Sequence, residues 1–202
     1  MLPAAAPPPP PIVRQYIPFP ATRKREMAAY ARRHYGTSGY RLVAPKVIVE
    51  HVAVAGSTSA VRATFAPDRA DPELHELPGT CSHYVVGATG TVVALVPLSL
   101  MCRHTVGLND VAIGIEHVGF HDADVLGRPQ ELSASLKLTQ YLRCRFGIAL
   151  KNVIGHNESL TSPYHHERVA RLRTQTHGDM VHASMLRYRA KLRRLGPCPP
   201  SS

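Results

Sequence analysis

The sequence predicts an α/β fold, a central mixed β-sheet flanked by helices, and three observations carry that prediction. Short β-branched runs alternate with segments of helical spacing through the middle of the chain. Glycines and capping residues stand where such elements should begin and end. The chain is also long enough to bury a core: its 202 residues are 44% hydrophobic and 19% charged, unlike a disordered or fibrous chain. No apolar run approaches the ~18 residues needed to span a bilayer.

The elements follow in order. Residues 1–20 hold eight of the 18 prolines, five of them consecutive from Pro7 to Pro11, and read as an extended leader or linker. Residues 21–45 form a helical extension: Thr22 can cap a helix, Met27, Tyr30, Ala31 and Tyr35 share a stripe, and Gly36 can end it. Residues 47–51 are a β-branched run. Residues 82–87 and 91–96 flank Ala-Thr-Gly, a hairpin signal. Another strand is expected at 112–118. The spacing of Leu132, Leu136, Thr139, Leu142 and Phe146 predicts a helix closed by Gly147. A short strand at 153–154 leads into Gly155-His156. A basic helix over 180–195 then stops at Gly196-Pro197, so that 46–180 is the main domain and 181–202 a basic helix and tail.

The formal charge of +10 is uneven. Residues 1–46 carry eight Lys/Arg against one acid, and residues 167–202 eight against two, whereas 47–166 carry eight against eleven. A mildly acidic centre with basic ends suggests anionic partners met by the flanks. Nucleic acid is a poor choice of partner, because the chain has no Trp and only 12 Phe and Tyr with which to stack bases.

Four cysteines, Cys81, Cys102, Cys144 and Cys198, have no finger-like spacing, which argues against a cysteine zinc site. Cys81 with Cys102 is one possible disulfide, and the pairing stays open. The N-terminus lacks the charged region and apolar core of an export signal, so the protein is either not exported or already processed.

Twelve histidines are the chemically suggestive feature. His51, His83, His104, His117 and His156 fall at or near the ends of predicted strands, where side chains converge on one cleft. His117 follows Glu116 directly on a strand, points to the opposite face and stays outside the site. There is no HExxH box, so any metal site draws ligands from distant segments.

The segments KVIVEH (46–51), CSHYVVGATGTVVALVP (81–97), RHTVGLNDVAIGIEHVG (103–119) and VIGHNES (153–159) resemble, in order, the zinc-dependent type 2 N-acetylmuramoyl-L-alanine amidases, whose fold peptidoglycan recognition proteins share. The resemblance covers roughly residues 46–180. It implies a catalytic Zn²⁺ held by His51 and His156. The family's third ligand, an Asp or Cys usually in a K-x-D-P-G context, has no such motif here. Asp179, in His177-Gly178-Asp179, is the best match, with His165 and His166 as rivals. The resemblance further implies Glu116 as general base, His177 as donor to the developing oxyanion, and His83, His104 and Asn109 along the substrate cleft.

The function so implied is hydrolysis of the amide between N-acetylmuramic acid and L-alanine in peptidoglycan by a secreted, wall-associated monomer. Its basic flanks would meet anionic wall polymers. The alternatives are a recognition module that binds peptidoglycan without cutting it, marked by a lost ligand, and a zinc amidase acting on another N-acyl amide.

Overall fold

The computed structural model describes residues 7–199. Its centre is a six-stranded mixed sheet ordered β1-β4-β3-β5-β2-β6, with β1 Ile12–Arg14, β2 Val47–Val52, β3 Tyr84–Val86, β4 Val92–Ala94, β5 Ala112–His117 and β6 Val153–Gly155. Only β3 and β4, the two arms of the hairpin, are antiparallel; every other pair is parallel. Parallel strands need both faces covered, and β2 and β5 are buried along their whole length.

Side chains alternate across those two strands. Ile48 and Val52 of β2, with Ile113 and Ile115 of β5, join the main apolar cluster under two helices, α4 (Pro129–Phe146) and α5 (His182–Arg193). Glu50 and His117 face the same way and meet Thr139 and Ser135 of α4. Val47, Val49 and Ala112 pack on the other side, and so, at the strand ends, do His51 and Glu116, which line the cleft. The placing of His117 opposite Glu116 follows from this period of two.

Several boundaries differ from the sequence expectations. Ile12–Arg14, inside the Pro-rich leader, pairs with β4 as an edge strand, and Ile17 is buried beyond it. Helix α1 (Ala21–Tyr35) starts after Pro20, and Thr22 sits in its first turn accepting from Arg25 instead of capping it. Helix α4 begins three residues early because Pro129 suits a first helical turn. Two helices had not been anticipated: α2 (Thr58–Phe65), capped by the Ser57 side chain, and the one-turn-and-a-half α3 (Asp122–Gly127). The basic C-terminal helix packs on the domain through Met185, Tyr188 and Leu192, and Arg189 pairs doubly with Glu158.

Two disulfides are present, Cys81–Cys102 beside the cleft and Cys144–Cys198, which ties the tail to α4. Among the described residues no helix is long and apolar enough to cross a membrane.

Candidate metal centre

At the C-terminal ends of β2, β5 and β6 lies a cleft of about 240 Å³. It is floored by His51, Glu116, His156 and Asp179, and walled by Arg103 to Val106, Asp71 to Leu74 and α2. Each floor residue arrives on a different segment. His51 is the penultimate residue of β2, Glu116 lies beside it on β5, and His156 follows β6 directly. Asp179 comes from the loop before α5.

Three side chains able to ligate a metal converge there, Asp179 through both of its oxygens. His51 Nδ1 and His156 Nδ1 are 3.0 Å apart, His156 Nδ1 is 3.2 Å from Asp179 Oδ1, and His51 Nδ1 is 3.7 Å from Asp179 Oδ2. Both imidazoles are buried and the carboxylate is partly buried. Tetrahedral Zn²⁺, with bonds of 2.0–2.1 Å, spaces neighbouring ligand atoms about 3.3 Å apart, and the separations of 3.0 Å between the imidazoles and 3.2 Å from His156 to Asp179 lie close to that value. The donor set of two imidazoles and one carboxylate leaves a fourth position free, as a catalytic zinc site requires. The residues therefore fit the ion.

The electrostatics agree. Burial, with the neighbouring His156 and His104, holds the His51 imidazolium well below its usual range, so His51 is neutral, the ligating form. Burial works against ionisation of Asp179. The hydrogen bond and charge of His156 and the Val52 N–H outweigh it, and hold that carboxyl below its ordinary value. With Nδ1 of His51 turned to the cluster, its Nε2–H donates to His104 Nδ1 at 3.1 Å, with Thr105 Oγ1 at 3.4 Å. Such a partner on the far nitrogen fixes ring orientation and tautomer. The His104 ring lies against Gly114, where a Cβ would sit 2.7 Å from it, so only glycine admits the ring.

Glu116 is buried, and desolvation followed by the nearby charge of Asp179 pushes its carboxyl up to about 8. His177 also lines the cleft; its ring centroid is 4.6 Å from that of His156, and its Nε2 donates to Glu73 at 2.9 Å.

Two expected cleft residues do other work. His83 is fully buried outside the cleft, accepting from Gly114 N at Nδ1 and donating to Leu100 O from Nε2, and burial pushes it down to about 4. Asn109 touches the cleft, but its amide oxygen accepts from the His104 and Thr105 N–H groups and its nitrogen donates to Tyr30 and Tyr35. It shapes the loop that carries His104. Of the rival ligands, His166 is exposed and His165 packs against Gly107; neither joins the three-residue cluster.

Sequence reasoning assigned no part to Arg103, Asp71 or Glu73. Arg103 is buried, donates to the carbonyls of Glu76 and Pro78, and pairs with Asp71 at 2.7 Å, fastening the 71–79 loop as a cleft wall. Its position next to His104 in the RHTVGLND block was the one available signal.

The N-acetylmuramoyl-L-alanine amidase family matches residues 41–176. No curated protein matches the chain. Among solved structures it is similar to the endolysin N-acetylmuramoyl-L-alanine amidase LysCS from Clostridium intestinale, at 19% identity and a TM-score of 0.57, covering 93% of this chain and 98% of that one. It is also similar to a mutant endolysin from Bacillus subtilis, at 17% identity and a TM-score of 0.54, covering 90% and 98% respectively. At these identities the structural likeness speaks for the fold alone. The family match takes in His51, His104, Glu116 and His156 and ends before His177 and Asp179, so Asp179 as a candidate ligand rests on the geometry of this chain. Spanning about two thirds of the sequence and three of the four floor residues of the cleft, that match places the chain in the N-acetylmuramoyl-L-alanine amidase family.

Proposed function

We propose that this peptidoglycan amidase hydrolyses the bond between N-acetylmuramic acid and L-alanine with a zinc ion held by His51, His156 and Asp179. The observation that carries the reading is the convergence of those three ligand atoms beside a buried carboxylate, Glu116. Zinc bound there supplies Lewis-acid polarisation of the scissile carbonyl and makes water more acidic.

The chain's own groups supply the rest. In its ionised form, which the positive charge of a bound zinc would favour, Glu116 takes the proton of the attacking water as the water oxygen bonds to the carbonyl carbon. The negative charge that builds on the carbonyl oxygen is met by a hydrogen bond from Nδ1–H of His177 in its doubly protonated form, whose Nε2–H is held by Glu73. The C–N bond then breaks, and Glu116 returns the proton to the leaving nitrogen of L-alanine. The lactyl group leaves as a carboxylic acid and the stem peptide as an amine.

The full ligand set supports an enzyme over a recognition module that binds without cutting. Two disulfides suit an oxidising compartment outside the cell. The basic residues of α1 and α5 suit loose attachment of a monomer to anionic wall polymers, an attraction that salt weakens.

The test is zinc content by elemental analysis together with digestion of purified sacculi. One zinc per chain with new L-alanine amino termini is the expected result. Zinc without cleavage would move the substrate to another N-acyl amide. Sacculi bound but uncut by a zinc-free protein would make it a recognition module.

A further inference from the structure

The third ligand proposed above lies just beyond the residues matched to the family, on the loop before α5. Asp179 is followed by Met180, a fully buried residue with left-handed backbone at φ 49°. Non-glycine residues rarely adopt that conformation unless their surroundings impose it. Two features impose it here. The Met180 carbonyl presses against β6 where Gly155 precedes His156, so closely that a Cβ on Gly155 would fall 1.7 Å from it. On the other side, both carboxylate oxygens of Asp122, the first residue of α3, accept backbone N–H groups, Met180 N at 2.7 Å and Val181 N at 2.9 Å. The loop is thus gripped immediately after the ligand. Before and at the ligand, Asn157 donates to the carbonyls of His177 and Asp179.

We propose that Asp122 is a positioning residue for the metal centre, which holds the Asp179 carboxylate against His51 and His156 by clamping the two N–H groups that follow it. The inference rests on the zinc reading above. Asp122 itself touches neither metal nor substrate, and acts only through the backbone of Met180 and Val181. A carboxylate suits the task because each of its two oxygens takes one of two adjacent N–H groups, and its negative charge strengthens both bonds. Loss of such outer support weakens a metal site by 10–100-fold in general.

The experiment measures zinc affinity by competition with a chromophoric chelator in wild type, Asp122→Ala, Asp122→Asn, Asp179→Ala and Asp124→Ala. Asp124 is the control on the same helix: it caps α3 by accepting from the Phe120 and His121 N–H groups, and its side chain makes no hydrogen bond or ion pair with the 179–181 loop. Asp122→Ala should bind zinc 10–100-fold more weakly. Asp122→Asn, with one acceptor left, should fall between it and wild type. Asp124→Ala should lower thermal stability and leave zinc affinity unchanged. The visible absorption of the Co²⁺-loaded Asp122→Asn protein reads ligand geometry directly and should differ from wild type, which keeps the test open where Asp122→Ala does not fold. Wild-type affinity in Asp122→Ala, or an equal loss in Asp124→Ala, overturns the proposal. A wild type that takes up no zinc overturns the metal reading instead, and this inference with it.

Discussion

His51 and Glu116 are register partners on adjacent parallel strands, β2 and β5, and both turn their side chains into the cleft. Neighbours in register share a face of the sheet, so backbone hydrogen bonding alone brings the first proposed metal ligand next to the proposed base. A slip of one residue would present His117 in place of Glu116. His117 instead faces α4, where its Nδ1 donates to the His51 carbonyl at 2.8 Å and its Nε2 meets Ser135.

Glu116→Gln should keep the fold and the zinc while turnover falls by roughly 10²–10⁴, the usual contribution of a positioned proton acceptor. The check is kcat on a defined muropeptide alongside metal content. Near-normal turnover would take Glu116 out of the mechanism.

Asp179→Ala should release zinc at chelator concentrations that leave wild type loaded, whereas His166→Ala should behave as wild type. Asp179 completes the cluster and His166 is exposed outside it. The opposite pattern would make His166 the ligand.

Stability of the zinc-free protein should peak at mildly acidic pH. Burial pushes Glu50 up to about 8 from 4.5, so the folded state binds the extra proton between those values, and stability is lost as pH rises through them. Burial pushes His83 and His117 down to about 4 from 6.5, so stability is lost in the other direction, as pH falls from 6.5 to 4. Above 6.5 only the carboxylate effect acts. Glu50→Gln should therefore flatten the decline in Tm between pH 6.5 and 8. A shift of that size corresponds to a few kcal/mol, on the order of 1.4 per pKa unit. An unchanged slope in the variant would show Glu50 to be ionised in the fold.

The two disulfides should separate under mutation. Cys144→Ser with Cys198→Ser releases a tail far from the cleft and should cost about 2–4 kcal/mol of stability with kcat intact. Cys81→Ser with Cys102→Ser frees the segment that leads into Arg103 and His104, so thermal stability and kcat should fall together. Thermal melts with steady-state kinetics on both pairs decide it.

Much of the fold was legible because local chemistry and tertiary role coincide in it. The β-branched runs before His51 and around Glu116 become the two central strands, Ala-Thr-Gly becomes the hairpin turn, and Gly147 ends α4 in left-handed backbone. Where they part, the sequence misleads. Ile12–Arg14 looks like the end of a Pro-rich tether, yet the open edge of β4 supplies hydrogen-bond partners that no local pattern reveals. Helix α2 has a good cap in Ser57, but its eight residues carry too short an apolar stripe to stand out. His83 sits in a motif block and still belongs to the core, because Gly114 and Leu100 take both its ring nitrogens.

By itself, the sequence determined the alternation of strands and helices through the middle of the chain, the opposite facing of Glu116 and His117, and the order of motifs that places His51, Glu116 and His156 at strand ends. These follow from periodicity and chain connectivity, which are local. Only the tertiary structure decided that Asp179 meets His51 and His156, that Asp122 holds the N–H groups following it, the inward role of Asn109 and the second disulfide. Each of these is a meeting of segments dozens of residues apart. Which distant groups meet is set by how the helices and loops pack on the sheet, and spacing along the chain carries no record of that packing.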